Sequence, residues 1–100
     1  MKIMISQPMR GKTEKEIREE REDVVKKLES EGHEVVDTIF NLEVPEGHDE
    51  AIYYLSKSIE AMSKVDGVVF MPGWNMTRGC TIEHNVAQLY GKFVRYMEGK

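Results

Sequence analysis

Segments with the pattern of β-strands alternate with segments that have the pattern of helices along the whole chain. Short apolar or β-branched runs at 2–6, 34–40, 67–71 and 93–96 predict four strands. Three amphipathic stretches between them predict helices. This order within 100 residues favours one α/β domain over 1–100, with a four-stranded parallel sheet, right-handed crossovers and the strand order 2-1-3-4.

The apolar positions of the three helical stretches predict the faces that pack on the sheet. The first helix begins at a capping box of Thr13 and Glu16 and stops before Gly32. We expect the charges of 14–31 to form a solvated face. The residues predicted to face inward are Ile17, Val24, Val25 and Leu28 in the first helix, Ile52, Leu55, Ile59 and Met62 in the second, and Ile82, Val86, Leu89 and Tyr90 in the third.

Composition argues against several classes of function. The net charge of −4 disfavours binding to duplex nucleic acid, which usually needs a basic face. Apolar runs of only a few residues are too short to span a membrane, so no membrane partner is expected. The single cysteine, Cys80, cannot form an intrachain disulfide, and the first residues lack a signal-peptide pattern. These features predict a cytoplasmic protein.

Two loops are placed to form the ligand crevice. In open parallel sheets, ligands bind beyond the carboxyl ends of the strands where the strand order reverses. In the predicted order this point lies between the first and third strands. The loops leaving these strands, 6–12 and 72–79, both contain glycine and both lead into helices. We therefore expect one crevice there, of a size for a nucleotide or a related sugar phosphate.

The first loop has the composition of an anion site. Arg10 and Gly11 precede a helix start, where free amides attract anions, and the arginine adds a planar pair of donors. Lys12 adds a further positive charge. The alternative is a solvated loop with ordinary surface charge. The loop has neither a Walker pattern nor the GxGxxG pattern of dinucleotide-binding proteins.

The second loop leads to a carboxylate. We expect Glu83 in the first turn of the third helix, where the helix dipole favours its ionised form. It could accept hydrogen bonds from sugar hydroxyls or attack an anomeric carbon, although glutamate is also common in a first turn without any ligand. Trp74 could stack on a base, cover the sheet edge or form a subunit contact. Asn75, Thr77 and Arg78 supply polar groups nearby.

Cys80 and His84 are one helical turn apart and are expected to share a face. A cysteine at a helix start can have a lowered pKa, which would suit a thiol nucleophile. A small buried residue is the favoured interpretation. With Glu83 these residues do not complete a zinc ligand set. The sequence predicts no metal and no cofactor.

Three stretches, 3–11, 65–74 and 77–87, resemble the nucleoside 2-deoxyribosyltransferase superfamily. The chain is most similar to its small DUF4406-like branch, and it also resembles the 2′-deoxynucleoside 5′-phosphate N-hydrolases. The resemblance implies a flavodoxin-like, Rossmann-like three-layer sandwich that assembles into homodimers or larger homo-oligomers. It also implies cleavage or exchange of the base–sugar bond of a nucleoside or its 5′-monophosphate.

The resemblance also implies roles for individual residues. Glu83 matches the glutamate nucleophile, and 9–11 resembles a loop that holds the 5′-phosphate. Met4 stands where active enzymes carry a tyrosine. The aspartate that handles the proton on the leaving base in those enzymes corresponds to a place near Ser58, where Glu60 is the nearest acid. Tyr53 or Tyr54 could take over the role of this aspartate. The residues expected to bind substrate are Ser6, Gln7, Met9, Arg10, Gly11, Gly73, Trp74, Thr77 and Gly79.

Three functions follow as alternatives. The first is a nucleotide N-glycosidase or deoxyribosyltransferase with Glu83 as nucleophile. The second is a non-catalytic protein that binds a nucleotide or an ADP-ribose-like ligand, which the absent tyrosine and aspartate favour. The third is a structural or interaction protein, in which the crevice is absent or filled and Trp74 and Arg10 are buried in a subunit contact.

Overall fold

The computed structural model describes residues 1–38 and 43–97. In these ranges, strands alternate with helices in the predicted order. The strands are β1 (Lys2–Ser6), β2 (Glu34–Val36), β3 (Gly67–Phe70) and β4 (Phe93–Tyr96), and the helices are α1 (Glu14–Ser30), α2 (Glu50–Met62) and α3 (Arg78–Leu89). A short 3₁₀ turn, Trp74–Met76, lies between β3 and α3.

The four strands form one parallel sheet in the order β2-β1-β3-β4, which confirms the predicted topology. Ile3 of β1 pairs with Val35 of β2 on one side and with Gly67 of β3 on the other. Gly67 pairs in turn with Phe93 of β4. Because each connection between the parallel strands is a helix, the sheet is covered on both faces in a flavodoxin-like, three-layer arrangement.

Two apolar cores lie on the two faces of the sheet. Alternate residues of β1 and β3 point to opposite faces, as the pleat of a strand requires. The core under α1 contains Ile3, Ile5, Val24, Leu28, Val69 and Met71. The core under α2 and α3 contains Met4, Met62, Val65, Val68, Phe70 and Ala87. Ser6, one position after Ile5, therefore faces α2 and α3, whereas Gln7 faces α1.

The helix starts follow from their capping residues. The Thr13 hydroxyl oxygen accepts a hydrogen bond from the Glu16 amide at 3.1 Å, as the capping box predicted. Asp49 caps α2 by accepting from the Ile52 amide at 3.1 Å. Gly32, just beyond α1, has a φ of 91°, a conformation that glycine adopts readily.

Two strands are shorter than predicted. The strand expected over 34–40 ends at Val36, and residues 39–40 lie outside the described residues. Its side chains beyond this point bond to other elements: Asp37 pairs with Arg21 of α1, and Thr38 donates to the Ile5 carbonyl oxygen at 3.2 Å. The strand expected over 67–71 ends at Phe70.

The predicted inner faces of α2 and α3 are partly wrong. Exposure reaches 64% at Ile52, 81% at Leu89 and 79% at Tyr90, and Ile82 is also exposed. The buried residues of α3 are instead Cys80, Glu83 and Ala87. Their spacing of three and four residues is that of one helix face. The side of α3 that faces the sheet is therefore not the predicted one, and it includes the carboxylate of Glu83.

None of the helices within 1–38 and 43–97 is long and apolar enough to cross a membrane.

Candidate functional site

The two predicted loops leave the sheet side by side. The amide of Met71, which follows β3, donates to the carbonyl oxygen of Ser6, the last residue of β1, at 3.0 Å. Farther out, a Cβ atom placed on Gly73 would lie 3.6 Å from Cγ of Pro8. The segments after β1 and β3 therefore converge at the point where the strand order reverses, which is the predicted place of the crevice.

Glu83 of α3 lies beneath this point. Its side chain is only 7% exposed, and the Ser6 hydroxyl donates to its Oε1 at 2.7 Å. Ser58 of α2 lies close to the same carboxyl group. Burial raises the pKa of Glu83 above its ordinary value, while the side chains of both serines and the positive charge of Arg21 act in the opposite direction.

The expected helix-start position of Glu83 is wrong. Helix α3 begins at Arg78, so Glu83 is the sixth helical residue and lies in the second turn. The helix dipole acts mainly within the first turn. Desolvation therefore outweighs it, and the net pKa shift is opposite to the one expected from the sequence.

Cys80 is a buried thiol rather than an activated nucleophile. Burial raises its pKa, and the neighbouring Ser6 and Thr77 side chains act in the opposite direction without reversing this shift. His84 contacts a different group of residues, so the shared face expected for this pair does not give shared chemistry. The favoured interpretation of Cys80 as a small buried residue is confirmed.

Trp74 belongs to an aromatic cluster at the carboxyl ends of β3 and β4. Its ring stacks on His84 at a centroid distance of 4.1 Å and on Tyr96 at 5.7 Å, and it contacts Phe70 at a tilt of 55°. His84 Nε2 is hydrogen-bonded to the Tyr96 hydroxyl. Part of the indole surface is therefore already covered, and only the remainder is available to a base.

A buried guanidinium holds the end of β1 from the opposite face of the sheet. Arg21 of α1 is 5% exposed, and it donates from Nε to Gln7 Oε1 at 3.0 Å and from Nη2 to the Ile5 carbonyl oxygen at 3.2 Å. The Gln7 amide nitrogen donates to the Ile17 carbonyl oxygen at 2.9 Å. The prediction that all charges of 14–31 are solvated is wrong at this position. The two acceptors satisfy Nε and Nη2, and the opposite charge of Asp37 lies 3.5 Å from Nη1.

A family model matches residues 1–96, which include β1, β3, α3 and the segments that converge after β1 and β3. The chain belongs to DUF4406, a domain of unknown function. No curated protein and no solved structure matches it.

The predicted phosphate loop of this DUF4406 domain is exposed. Met9 and Arg10 lie on the surface, and Gly11 has a φ of 79° that suits its turn. Lys12 forms an ion pair with Glu20 at 2.9 Å, so its charge is already partly compensated. Arg10 is therefore the cation of this loop on which an anion site would depend.

The remaining predicted binding residues lie in the second loop. Gly73 adopts a φ of 87° immediately before the 3₁₀ turn, and the Thr77 hydroxyl donates to the Trp74 carbonyl oxygen at 3.2 Å. Gly79 lies in the first turn of α3. These residues shape the loop through backbone conformation and local hydrogen bonds.

The positions that resembled the tyrosine and aspartate of active enzymes have different surroundings. Met4 is buried in the core under α2 and α3. Ser58 contributes a hydroxyl to Glu83 rather than an acid. Glu60 forms surface ion pairs with two lysines of α2 and its C-terminal turn, and the Tyr53 ring packs edge-on against His48.

Two surface grooves flank β2, away from Glu83. One, of about 350 Å³, is lined by α1 and by Val35 and Asp37, and the other, of about 210 Å³, by α2 and by Val36 and Asp37. Their rims carry charges of both signs. Glu83, Ser6 and Trp74 are not among the residues that line either groove. Among the residues that the structure describes, no group of three or more histidine, cysteine or acidic side chains could hold a metal ion.

Sequence reasoning missed Arg21 and Thr38 as supports of the site. Ile17, Val24 and Leu28 mark the buried stripe of α1, and position 21 falls within it, four residues after Ile17 and three before Val24. A charged residue in the middle of an apolar stripe was the signal that could have revealed this network.

Proposed function

We propose that this DUF4406 domain cleaves or exchanges the base–sugar bond of a nucleoside 5′-monophosphate, with Glu83 as the nucleophile. The observation that carries the proposal is a buried carboxylate that accepts a hydrogen bond from Ser6 at the point where the strand order reverses. The resemblance of 77–87 to the corresponding glycosidase segment supports the same role.

The proposed reaction has two displacements. A Glu83 oxygen attacks the anomeric carbon, the glycosidic bond breaks, and its electron pair leaves with the base, which takes a proton from water. Water, or a second base in the exchange reaction, then displaces the carboxylate from the sugar. Because Ser58 stands where an acid was expected, we expect turnover about 10²–10⁴-fold slower than with a positioned general acid.

Substrate binding is assigned to the two converging loops. Arg10 and the amides near Gly11 would hold the phosphate, and the uncovered part of Trp74 would contact the base. Ser6, Met9, Gly73, Thr77 and Gly79 complete the proposed lining. The expectation that Gln7 binds substrate is not kept, because its side-chain amide is bonded to Ile17 and Arg21 on the other face of the sheet. No metal or cofactor takes part in the proposed reaction.

The experiment incubates the protein with separate nucleosides and with their 5′-monophosphates, and measures free base and sugar phosphate by mass spectrometry. We expect base release from one of the monophosphates. Arg10→Ala should raise KM for that monophosphate on the order of 10–100-fold, the loss of a charged hydrogen bond, and should leave the matching nucleoside unaffected. Lys15→Ala, an exposed cation of α1, is the control. The absence of released base from every substrate would refute the enzymatic proposal.

A binding function without turnover is the second candidate. The observation that favours it is the hydroxyl of Ser58 at the place of the expected acid. It predicts a rise in Tm with a nucleotide or ADP-ribose-like ligand and no product. The stabilisation would be about 2.7 kcal/mol at a ligand concentration of 100 Kd. If no ligand changes Tm, this candidate is excluded as well.

We also propose that the domain forms homodimers or larger homo-oligomers through the region of α3 and β4. Met76, Leu89 and Tyr90 are about four-fifths exposed, and β4 is an edge strand of the sheet. Sedimentation should then give at least twice the monomer mass, and Leu89→Lys should give the monomer. Ile52→Lys, which changes an exposed apolar residue of α2, should not. A monomeric wild-type protein would contradict the proposal.

A further inference from the structure

Two serine hydroxyls reach the Glu83 carboxyl group from different elements. Ser6 ends β1 and donates to Oε1 at 2.7 Å, and Ser58 approaches from α2. Glu83 itself is on α3. The carboxyl group is thus held between a strand and two helices, and its orientation depends on how these three elements pack.

The Ser6 hydroxyl acts on Glu83 as a donor. A hydroxyl has one proton and two acceptor lone pairs, whereas an ionised carboxylate has acceptors only. The hydrogen bond of 2.7 Å between Ser6 Oγ and Glu83 Oε1 therefore uses the serine proton. This bond favours the charged form of Glu83 and fixes the position of Oε1.

A carboxylate buried to this degree lacks most of its hydration and needs donors of fixed position. Arg21 acts on Glu83 only through space, because its own donors are directed to the Gln7 side chain and the Ile5 backbone on the other face of the sheet. Ser6 is therefore a donor in direct contact with the carboxylate, and Ser58 lies beside it on α2.

We propose that Ser6 and Ser58 are positioning residues that hold the Glu83 carboxylate in one orientation, with its remaining lone pairs directed to the crevice. The proposal rests on the proposed function for its catalytic consequence. It goes beyond that function by assigning the orientation of the carboxylate to a pair of hydroxyls.

The first test is the titration of Glu83, followed by carboxyl carbon NMR in the protein without ligand. Hydrogen bonds donated to a carboxylate favour its charged form. Ser6→Ala and Ser58→Ala should each raise the pKa of Glu83 further, and the double variant should raise it most. Ser58→Thr keeps the hydroxyl and should restore the wild-type titration.

Ser56→Ala is the matched control for this titration. Ser56 lies on the same helix as Ser58, but it is exposed and its hydroxyl donates to the Tyr53 carbonyl oxygen at 2.6 Å. This variant should leave the pKa of Glu83 unchanged. Titrations of Ser6→Ala and Ser58→Ala that coincide with wild type would overturn the inference.

The second test separates positioning from binding. In the base-release assay, loss of either hydroxyl should lower kcat on the order of 10–100-fold, the value of a hydrogen bond to a charged group, with a smaller change in KM. A raised KM at constant kcat would contradict a positioning role. If the wild-type protein releases no base, the proposed function fails, and the titration still decides the role of the serines.

Discussion

Glu83→Gln is expected to abolish base release while raising the Tm of the protein at neutral pH. Loss of a nucleophile lowers kcat on the order of 10⁴–10⁶-fold. The opposite effect on stability follows from burial, which raises the pKa of Glu83 because ionisation inside the protein is unfavourable. A neutral glutamine of the same shape keeps an oxygen for the serine hydroxyls and removes the buried charge.

The pH dependence of this stability difference has a definite sign. Between the ordinary glutamate pKa of 4.5 and its raised value in the folded state, the folded protein binds more protons than the unfolded chain. The free energy of unfolding of the wild type therefore falls as pH rises through this window. The free energy of unfolding of Glu83→Gln does not fall in this window. Its extra stability over wild type should therefore be absent at low pH and complete above the raised pKa of Glu83. Each 1 kcal/mol corresponds to about 4–8 °C in Tm for a domain of this size.

The matched control for both measurements is Glu22→Gln. Glu22 is exposed on α1 and pairs with Lys26 at 3.0 Å, so its loss should change the free energy of unfolding by about 0.5 kcal/mol or less. Activity and Tm are measured by product analysis and by thermal scans at several pH values. Base release that survives in Glu83→Gln would remove Glu83 from the mechanism, and a lower Tm at neutral pH would show that its burial is not destabilising.

The topology was predictable because its determinants are local. The β-branched and apolar runs, the caps at Thr13 and Asp49 and the glycine after α1 each act over a few residues, and parallel crossovers then leave few strand orders. The meeting of the segments after β1 and β3 follows from that order. The place of the site therefore needed only the pattern of elements.

The chemistry inside the site was not predictable to the same degree, because polar residues occupy positions of the apolar stripes. Glu83 lies between Cys80 and Ala87 on the buried face of α3, as Arg21 lies between Ile17 and Val24 on α1. When the buried faces are predicted from apolar residues alone, the wrong side of α3 is placed against the sheet. The same method predicts that Arg21 lies on the surface. The partners of Glu83 and Arg21 come from distant parts of the chain. They are serine hydroxyls for Glu83 and carbonyl oxygens for Arg21.

Arg21→Ala is the substitution with the largest expected loss of stability. It leaves Gln7 Oε1 buried without its donor and removes a hydrogen bond from the Ile5 carbonyl oxygen, together with a contact to Thr38 at 3.4 Å. Unsatisfied buried acceptors cost about 1–3 kcal/mol each, so we expect a loss of about 3 kcal/mol or more. In a domain with a total stability of about 5–15 kcal/mol, this loss would be evident in urea or thermal unfolding.

Arg18→Ala separates the buried hydrogen bonds from the ion pairs. Arg18 lies one turn before Arg21 and approaches the same carboxylate, Asp37, at 4.0 Å, compared with 3.5 Å for Arg21. Arg18 is exposed, so its loss should cost about 1 kcal/mol or less. If the two variants lose the same free energy of unfolding, the effect belongs to the ion pairs with Asp37, and the role given to the acceptors at the end of β1 is contradicted.

Arg21→Met keeps the apolar part of the side chain, and its stability should lie between those of wild type and Arg21→Ala. It should also raise the pKa of Glu83, because the positive charge that favours the ionised form of Glu83 is gone.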